Sequence, residues 1–365
     1  MSPESYDVAF VGGGLAAALL LNELGPASLG RVAVVDPWPT SERPPVHLSY
    51  WSPDPTPYDR FAVGAWRQAR VADGPPESIA PFTMRLVRST DVLAGLSGAM
   101  RAPNVSHLRA TARSVSRASE GHYEVLTDDG TVRARWVFDS ACGVEPAFPS
   151  PRRPRAVLSG TGLRVEAERP VFDAETANLF DPLDETSFAY LLPLGPAEAL
   201  LESASFGPAG MGEDRSQLLD HLRARHPGVG FSVTHAEYGE IPLGFAPPRT
   251  SGPRHVLIGA KRGLVKPSAG YGVVRIARES RRLARAWGGS PGPRPSRRAP
   301  LPWGLLDAGF VRLASEDPRL PMKLLGRVMG ALPLAWSLGF IDERISPRRL
   351  VPLLRSAAPV FARRG

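Results

Sequence analysis

The chain has 365 residues, of which 43% are hydrophobic and 22% charged, an ordinary composition for a globular protein. Its length allows one or two domains with a large core. The single cysteine excludes an intrachain disulfide, and no apolar run is long enough to span a membrane. The sequence starts without a signal-peptide pattern, so we expect a cytoplasmic protein.

The net charge of +8 is concentrated in the last part of the sequence. Between Arg294 and Arg364 there are 13 basic and five acidic residues, and the rest of the chain is close to neutral. No nucleic-acid motif or set of interleaved aromatic residues accompanies these charges, so we expect no nucleic-acid partner. A solvated surface and peripheral contact with an anionic membrane are the two remaining interpretations.

The first forty residues have the pattern of a βαβ unit with a glycine turn. A strand over 6–10 precedes Gly12-Gly13-Gly14-Leu15-Ala16-Ala17, and a helix over 18–24 and a strand over 31–35 lead to Asp36. Gly12 permits the tight turn, Gly14 lets the backbone approach a pyrophosphate, and Ala17 allows close helix–strand packing. Asp36 is placed to accept a ribose hydroxyl. The pattern predicts a dinucleotide site, and a glycine turn without a ligand is the alternative.

The middle of the chain is rich in predicted strands. The Pro-rich segment 37–57, which contains Trp51, is predicted to be a loop across the cofactor or the mouth of the active site. The further predicted elements are a strand and helix over 82–100, a hairpin around Asp128-Asp129-Gly130, a strand ending at Asp139, and a helix over 216–226 within a β-rich block. A Pro/Arg-rich break over 146–155 indicates a domain boundary.

A second strand, glycine-rich loop and helix occur near residue 260. The strand over 255–258 and the helix over 273–287 enclose a loop that contains Gly259, Gly263, Pro267, Gly270 and Tyr271. In folds that bind one flavin, the chain returns to the nucleotide domain at such a point, and backbone N–H groups meet the flavin. Two such segments favour FAD over NAD as the resident ligand, and a plain loop is the alternative.

Together these patterns predict a mixed α/β fold. We expect a Rossmann-type FAD-binding domain of the glutathione-reductase/hydroxylase kind, with an inserted β-sheet substrate domain and a C-terminal helical segment. The predicted ranges are 1–150 and 250–290 for the FAD-binding domain, 151–249 for the substrate domain, and 291–365 for the basic helical segment.

The order of several short motifs resembles the lycopene cyclase family of FAD-binding proteins. The motifs are Gly12-Gly13-Gly14-Leu15-Ala16-Ala17, Leu48-Ser49-Tyr50-Trp51, Trp136-Val137-Phe138-Asp139-Ser140, Leu200-Leu201-Glu202-Ser203, Ile241-Pro242-Leu243 and Pro267-Ser268-Ala269-Gly270-Tyr271. The resemblance implies that a carboxylic acid protonates a terminal double bond of a linear polyene, that an internal double bond closes a six-membered ring, and that a proton is lost. It also implies a reduced FAD that stabilises the cation, with NAD(P)H as the external reductant.

Glu202 matches the first acid of the family's Leu-Glu-Glu-Thr motif, and the resemblance assigns it as the general acid. From the residues alone, a salt-bridged or exposed glutamate at a strand end is the alternative. Burial would favour the acid role, because it raises the pKa of a carboxyl group and keeps its proton at neutral pH. Ser203 and Ala204 replace the second acid and the threonine of the motif, which puts the standard activity in doubt.

Other candidate residues have two interpretations each. Trp51 and Asp139 are predicted to lie at the flavin, and core packing or a capped turn are their alternatives. Lys266 lies either near the flavin or in solvent. His47 and His235 have no partners at a metal-binding spacing in the sequence, so we predict no metal site.

Two other functions remain open. A monooxygenase or halogenase could use the same fold, although the loop after Ile258 lacks the Gly-Asp pair of many flavin hydroxylases. The third interpretation is a relative that binds FAD and a lipid-like ligand without turnover. For the cyclase, the expected substrate is a hydrophobic polyene or prenylated small molecule.

Overall fold

The structure of the chain is a computed structural model. It describes residues 4–38, 42–118, 121–141, 145–146, 156–207, 215–243, 250–289, 292–294 and 303–345. Most of the predicted boundary over 146–155, and the end of the basic segment from residue 346, lie outside the described residues.

The described residues form strands and α-helices throughout the chain. The strands are β1 (Ser5–Val11), β2 (Val32–Val35), β3 (His47–Ser52), β4 (Ala62–Trp66), β5 (Gln68–Val71), β6 (Glu77–Ser78), β7 (Thr83–Arg88), β8 (Val105–Leu108), β9 (Ala112–Arg117), β10 (Tyr123–Thr127), β11 (Gly130–Asp139), β12 (Glu145–Pro146), β13 (Ala156–Ala167), β14 (Thr176–Pro182), β15 (Ser187–Gly195), β16 (Glu198–Gly207), β17 (Phe231–Leu243) and β18 (His255–Leu257). The helices are α1 (Leu15–Leu24), α2 (Ser89–Gly95), α3 (Ser97–Met100), α4 (Arg215–Arg225), α5 (Val273–Arg285), α6 (Trp303–Glu316), α7 (Arg319–Ala331) and α8 (Leu334–Ile341).

The first sheet carries the predicted nucleotide-binding unit. Its strand order is β12-β9-β10-β11-β1-β2-β8, and β18 also pairs with β11. β1 runs parallel to both β2 and β11, while β9, β10 and β11 form an antiparallel extension. Val8 and Phe10 face one hydrophobic core cluster and Ala9 and Val11 face another, so β1 is buried on both faces. The predicted hairpin and the predicted mixed α/β fold class are confirmed.

The second sheet has the order β17-β13-β16-β15-β14-β5-β6 and is mostly antiparallel. The alternation of side chains along β16 separates two cores: Leu201 packs with α4 residues, whereas Leu200, Ala204 and Phe206 join the main core. Glu202 has the same parity as Leu200 and Phe206. The face that carries Glu202 therefore points toward the core shared with the first sheet.

The segment 37–57 is not the continuous loop that the sequence predicts. Its residues His47–Ser52 form β3, which pairs with β7 in a three-stranded sheet of order β3-β7-β4. The prolines flank this strand and do not interrupt it, so its backbone is free to pair, and its aromatic residues favour a strand. The loop prediction is wrong for these six residues.

Three helices complete the described C-terminal part, and α6 packs against β13 and β16. Lys266 joins them to the loop after β18, because its Nζ lies 2.6 Å from Asp307 Oδ1 and 3.0 Å from Glu343 Oε1. Lys266 is 2% exposed, which excludes the solvent-exposed one of its two interpretations, while its position near the flavin stays a prediction. Among the described residues, the structure shows no helix with the length and apolar character that a membrane crossing requires.

Candidate active site

A cavity of about 460 Å³ lies between the two glycine segments, the second sheet and the C-terminal helices. Its wall is mostly apolar and aromatic. The wall residues include Leu158, Phe180, Phe188 and Phe206 from the second sheet, and Leu325, Met329, Leu338 and Ile341 from the last two helices. Such a cavity suits a hydrophobic ligand, with orientation set by a few polar groups.

The structure brings the two predicted glycine segments into contact. Gly12 has φ +89° and Gly259 has φ +62°, conformations that an L side chain rarely adopts. A Cβ at residue 259 would lie 2.7 Å from the Cβ of Ala16, so both the turn and the close approach require glycine. This contact joins segments that are far apart in sequence on one side of the cavity.

Two helices direct their N-termini toward this side. α1 begins at Leu15 and α5 begins at Val273, and both residues line the cavity. Neither helix has a side-chain cap or an acidic residue in its first turn. Backbone N–H groups at such ends bind anionic groups well. The residues present therefore fit a dinucleotide, and the contact of its pyrophosphate with Gly13 and Gly14 stays a prediction.

Asp36 is placed beside the first turn, as predicted, but its oxygens are largely occupied. Oδ2 accepts the Gly13 N–H at 2.6 Å and an Arg43 guanidinium N–H, and Oδ1 accepts the Trp38 N–H at 2.8 Å. A carboxylate has about four acceptor positions, so one remains for a ribose hydroxyl. Ala17 is 1% exposed and packs in the main core, in agreement with its predicted packing role.

Trp51 and Tyr271 form a stacked pair at the cavity wall. Their ring centroids are 4.5 Å apart with an interplanar angle of 9°, and the Tyr271 hydroxyl donates to the Trp51 carbonyl oxygen. Both residues and Gly270 line the cavity. The buried Trp51 Nε1 has no hydrogen-bond partner among the described residues, so it can donate to a ligand.

Other predicted cofactor residues lie behind the cavity wall. Asp139 is 1% exposed, and its Oδ2 lies 2.6 Å from Lys261 Nζ and 3.1 Å from His255 Nε2. It therefore ties β11, β18 and the turn after β18 together. Gly263 and Pro267 belong to the same loop but do not line the cavity. Their contact with FAD stays a prediction.

Glu202 lies in the apolar cavity, with its Oε2 buried and without a hydrogen-bond partner among the described residues. Burial raises the pKa of Glu202 to about 8. The Tyr190 hydrogen bond acts in the opposite direction, and the charge of Glu237 adds to the increase. A carboxyl group with this pKa keeps its proton at neutral pH and can act as a general acid.

Four positions form a row across the second sheet beside this acid. In register, Glu237 of β17 lies opposite Gly162 of β13, Gly162 opposite Glu202 of β16, and Glu202 opposite Tyr190 of β15. Tyr190 hydrogen-bonds to both Glu202 and Ser49. Because Gly162 has no side chain, the two glutamates face each other across the gap that it leaves.

Glu237 is held in place by two histidines. The His47 backbone N–H lies 3.0 and 3.1 Å from the two Glu237 oxygens, and His47 Nδ1 and His235 Nε2 lie 3.0 and 3.3 Å from Oε2. The three ligand atoms lie within 4.8 Å of one another, a spacing that a cation also accepts. The expectation that these histidines lack suitable partners is wrong, whereas the absence of a metal site stays a prediction.

Few local patterns in the sequence indicate this cluster. Glu237 is separated from His47 by 190 residues, and only the pairing of β17 with β13 and the position of β3 bring them together. One usable signal is parity, because Glu237 has the same parity as Ile241, and the strand that carries both ends in the Ile241-Pro242-Leu243 motif.

Several solved structures have a similar fold, and one of those described here is named as flavin-dependent. A geranylgeranyl bacteriochlorophyll reductase-like protein from Thermoplasma acidophilum aligns with a TM-score of 0.60 and 14% identity, over 99% of this chain and 98% of that chain. A p-nitrophenol 4-monooxygenase from Pseudomonas putida aligns with a TM-score of 0.54 and 17% identity, over 98% and 94%. A flavin-dependent brominase aligns with a TM-score of 0.55 and 13% identity, over 97% and 94%. At these identities the similarity establishes the fold.

Comparison with curated proteins gives no significant match. The sequence pattern of one family, described as "Lycopene cyclase protein", matches residues 7–301, which is most of the chain. The match includes both glycine segments and the strand that carries Glu202. The protein therefore belongs to the lycopene cyclase protein family.

Proposed function

We propose that the protein is an FAD-dependent cyclase that closes a ring at the end of a linear polyene or prenyl chain without net oxidation. The observation that carries the proposal is the apolar, enclosed environment of the Glu202 carboxyl group. This carboxyl group has a raised pKa and no cationic partner among the described residues, and it faces an apolar cavity that reaches both glycine segments. A perturbed acid in a cleft indicates proton chemistry.

The residues of the cavity have separate roles in this reaction. Glu202 donates its proton to the terminal double bond, and Tyr190 orients the carboxyl group through its hydrogen bond. The apolar wall excludes water that would trap the cation. The rings of Phe188, Tyr190 and Phe206 offer π density to a positive charge.

FAD fits the opposite side of the cavity. The backbone of Gly12-Gly13-Gly14-Leu15 would hold its pyrophosphate, and the loop over 259–272 and Trp51 would hold its ring. When bound and reduced, FAD supplies negative charge that stabilises a carbocation. We propose NAD(P)H as the external reductant that converts bound FAD to its reduced form. The cyclisation itself consumes no reducing equivalents.

The test is the mass of the product. Protein reconstituted with FAD is incubated with NADPH and a linear polyene such as lycopene or a shorter prenyl chain. An isomer of the substrate with fewer double bonds supports the proposal. A product that has gained oxygen or, with added halide, a halogen supports the monooxygenase or halogenase alternative. Retained flavin without conversion of any polyene supports a non-catalytic binding role.

Peripheral contact with an anionic membrane is proposed separately, because a polyene substrate resides in lipid. Lys323 and Arg327 are exposed on α7, close in sequence to residues of the cavity wall. Charge reversal of both should reduce sedimentation with anionic vesicles and leave neutral vesicles unaffected. Equal sedimentation of the wild type and the charge-reversed variant with anionic vesicles would contradict the proposal. Point variants are preferred to deletion, because α7 and α8 form part of the cavity.

A further inference from the structure

We infer that Glu237 is the second carboxylate of the site: it accepts the proton that ring closure releases and returns it to Glu202 across Gly162. The inference rests on the proposed function. It assigns the acceptor role to a carboxylate on β17, because Ser203, the residue after Glu202 in β16, is not a base at neutral pH.

The first argument is geometric. A Cβ at residue 162 would lie 3.2 Å from Glu202 Oε1, 3.2 Å from Glu237 Oε1 and 2.8 Å from Glu237 Cγ. Both carboxyl groups therefore border the same small space, which only a glycine leaves open. Both also line the cavity, so each can reach a substrate placed between them and the glycine segments.

The second argument is the set of hydrogen bonds around Glu237. Its oxygens face the His47 backbone N–H and the rings of His47 and His235, and its side chain is 10% exposed. These contacts fix the carboxylate with Oε1, which lies 3.0 Å from the His47 backbone N, on the side of Gly162 and Glu202. Glu202 has no comparable set of donors.

The third argument is the electrostatic effect of Glu237 on its neighbours. Its charge contributes to the raised pKa values of both Glu202 and Tyr190, after the larger effect of burial. The titratable groups that face Glu202 are Tyr190 on β15 and Glu237 on β17, with His47 on β3 and His235 behind Glu237. A carboxylate beside an acid favours the protonated form of that acid.

The proton balance of the cycle closes within the protein. The Glu202 O–H bond breaks as a C–H bond forms at the terminal alkene, and the internal alkene supplies the electron pair of the new C–C bond. A C–H bond next to the resulting cation then breaks, its electrons form the ring double bond, and Glu237 takes the proton. Transfer from Glu237 to Glu202 restores the starting state without an oxidant, reductant or external acid.

The first arm of the test measures the protonation of Glu202 without turnover. Infrared spectra record the carboxylic-acid carbonyl band as a function of pH, with Glu202→Gln as the blank. In Glu237→Gln the titration midpoint should fall by about one pH unit, because a neutral amide replaces a charged neighbour. Glu166→Gln, the same chemical change at an exposed position of β13, should leave the midpoint unchanged.

The second arm measures turnover of the flavin-loaded proteins. Glu237→Gln should reduce the rate of cyclisation by about 10²–10⁴-fold, as for loss of a general base, while flavin content remains that of the wild type. The alkaline limit of the activity should move to lower pH with the infrared midpoint. Glu166→Gln should retain the wild-type rate and pH profile.

Three outcomes would overturn the inference alone, and a fourth would overturn it together with the proposed function. A Glu237→Gln protein with the wild-type rate would exclude Glu237 as the proton acceptor while leaving the proposed function intact. A slow variant whose infrared midpoint and pH limit do not move would indicate a purely structural role. A tightly bound divalent metal that Glu237→Gln loses would make Glu237 a ligand. If the wild type cyclises no polyene, the proposed function fails together with the inference.

Discussion

Asp139 and Glu202 are both enclosed carboxyl groups, one in each large sheet, and their partners differ completely. Asp139 lies 2.6 Å from the Lys261 ammonium and 3.1 Å from the His255 ring. Glu202 receives a hydroxyl hydrogen bond from Tyr190, faces another carboxylate, and leaves Oε2 without a partner among the described residues. A cation next to a buried carboxylate stabilises its charged form, and the pair then holds parts of the fold together. An apolar wall around a carboxyl group instead favours the protonated form, which can act as an acid.

Replacement of Glu202 by glutamine should produce the largest effect. The amide keeps the shape of the side chain but has no acidic proton, so the cyclisation rate should fall by about 10²–10⁴-fold. Flavin absorbance and thermal unfolding should remain those of a folded protein. Steady-state rates and visible spectra check this, and unchanged activity would remove Glu202 from the mechanism.

Replacement of Asp139 by alanine should act on stability. Removal of one member of a buried ion pair costs about 3–5 kcal/mol, because the burial of the Lys261 charge is no longer offset by this carboxylate. Urea unfolding measures the loss. Asp220→Ala serves as the control, since its pair with Arg223 is largely exposed and should contribute less than about 1 kcal/mol. Similar losses for both variants would contradict the comparison.

The pH dependence of stability should distinguish the wild type from Glu202→Gln. The pKa of Glu202 is about 8 in the folded protein against an ordinary value of 4.5, so the folded state binds more protons between these pH values. Its contribution is fully present below pH 4.5 and is lost as the pH rises through 8. The wild type should lose stability relative to the variant over this interval. Unfolding at pH 5 and pH 8 checks the sign, and parallel curves would disprove it.

Gly162→Ala should have the smallest effect. The added methyl group would lie 2.8 Å from Glu237 Cγ and 3.2 Å from Oε1 of both glutamates, so the Glu237 side chain must shift and the free energy of unfolding should fall by about 1 kcal/mol. The carboxyl groups would be displaced, and the rate should fall on the order of tenfold. Gly195→Ala is the matched control, because a Cβ there meets nothing within 4 Å. Equal rates for the two variants would show that the gap at residue 162 is unimportant.

The nucleotide-binding half of the fold could be predicted because its signals are local. Strand, turn, helix and acid follow one another within 31 residues, and the structure has β1, α1 and β2 there. Glu202 was identified through the family resemblance, and its exposure to a cavity could not be deduced from the residues alone. Parity along β16 places Glu202 on the same face as Leu200 and Phe206. Only the packing of the two sheets shows that this face borders a cavity.

The partners of the site could not be predicted, because they depend on long-range pairing. Glu237 lies near Glu202 because of the register of three strands. His47 lies near Glu237 because it belongs to β3, a strand that the flanking prolines made difficult to recognise in the sequence. The burial of Lys266 could not be predicted for the same reason. Its burial depends on Asp307 in α6 and Glu343 just after α8, which come from the C-terminal part of the chain and pair with the Lys266 ammonium.

The ion pairs of Lys266 attach the C-terminal part of the chain to the loop after β18, and the helices of that part shield Glu202 from water. Those helices close one wall of the cavity with Leu325, Met329 and Leu338, yet the family pattern ends at residue 301. A protein shortened at that limit would admit bulk water to Glu202, and hydration would return its carboxyl group to ordinary acidity. Ring closure is therefore expected only from a chain that extends well past the boundary by which the family is recognised.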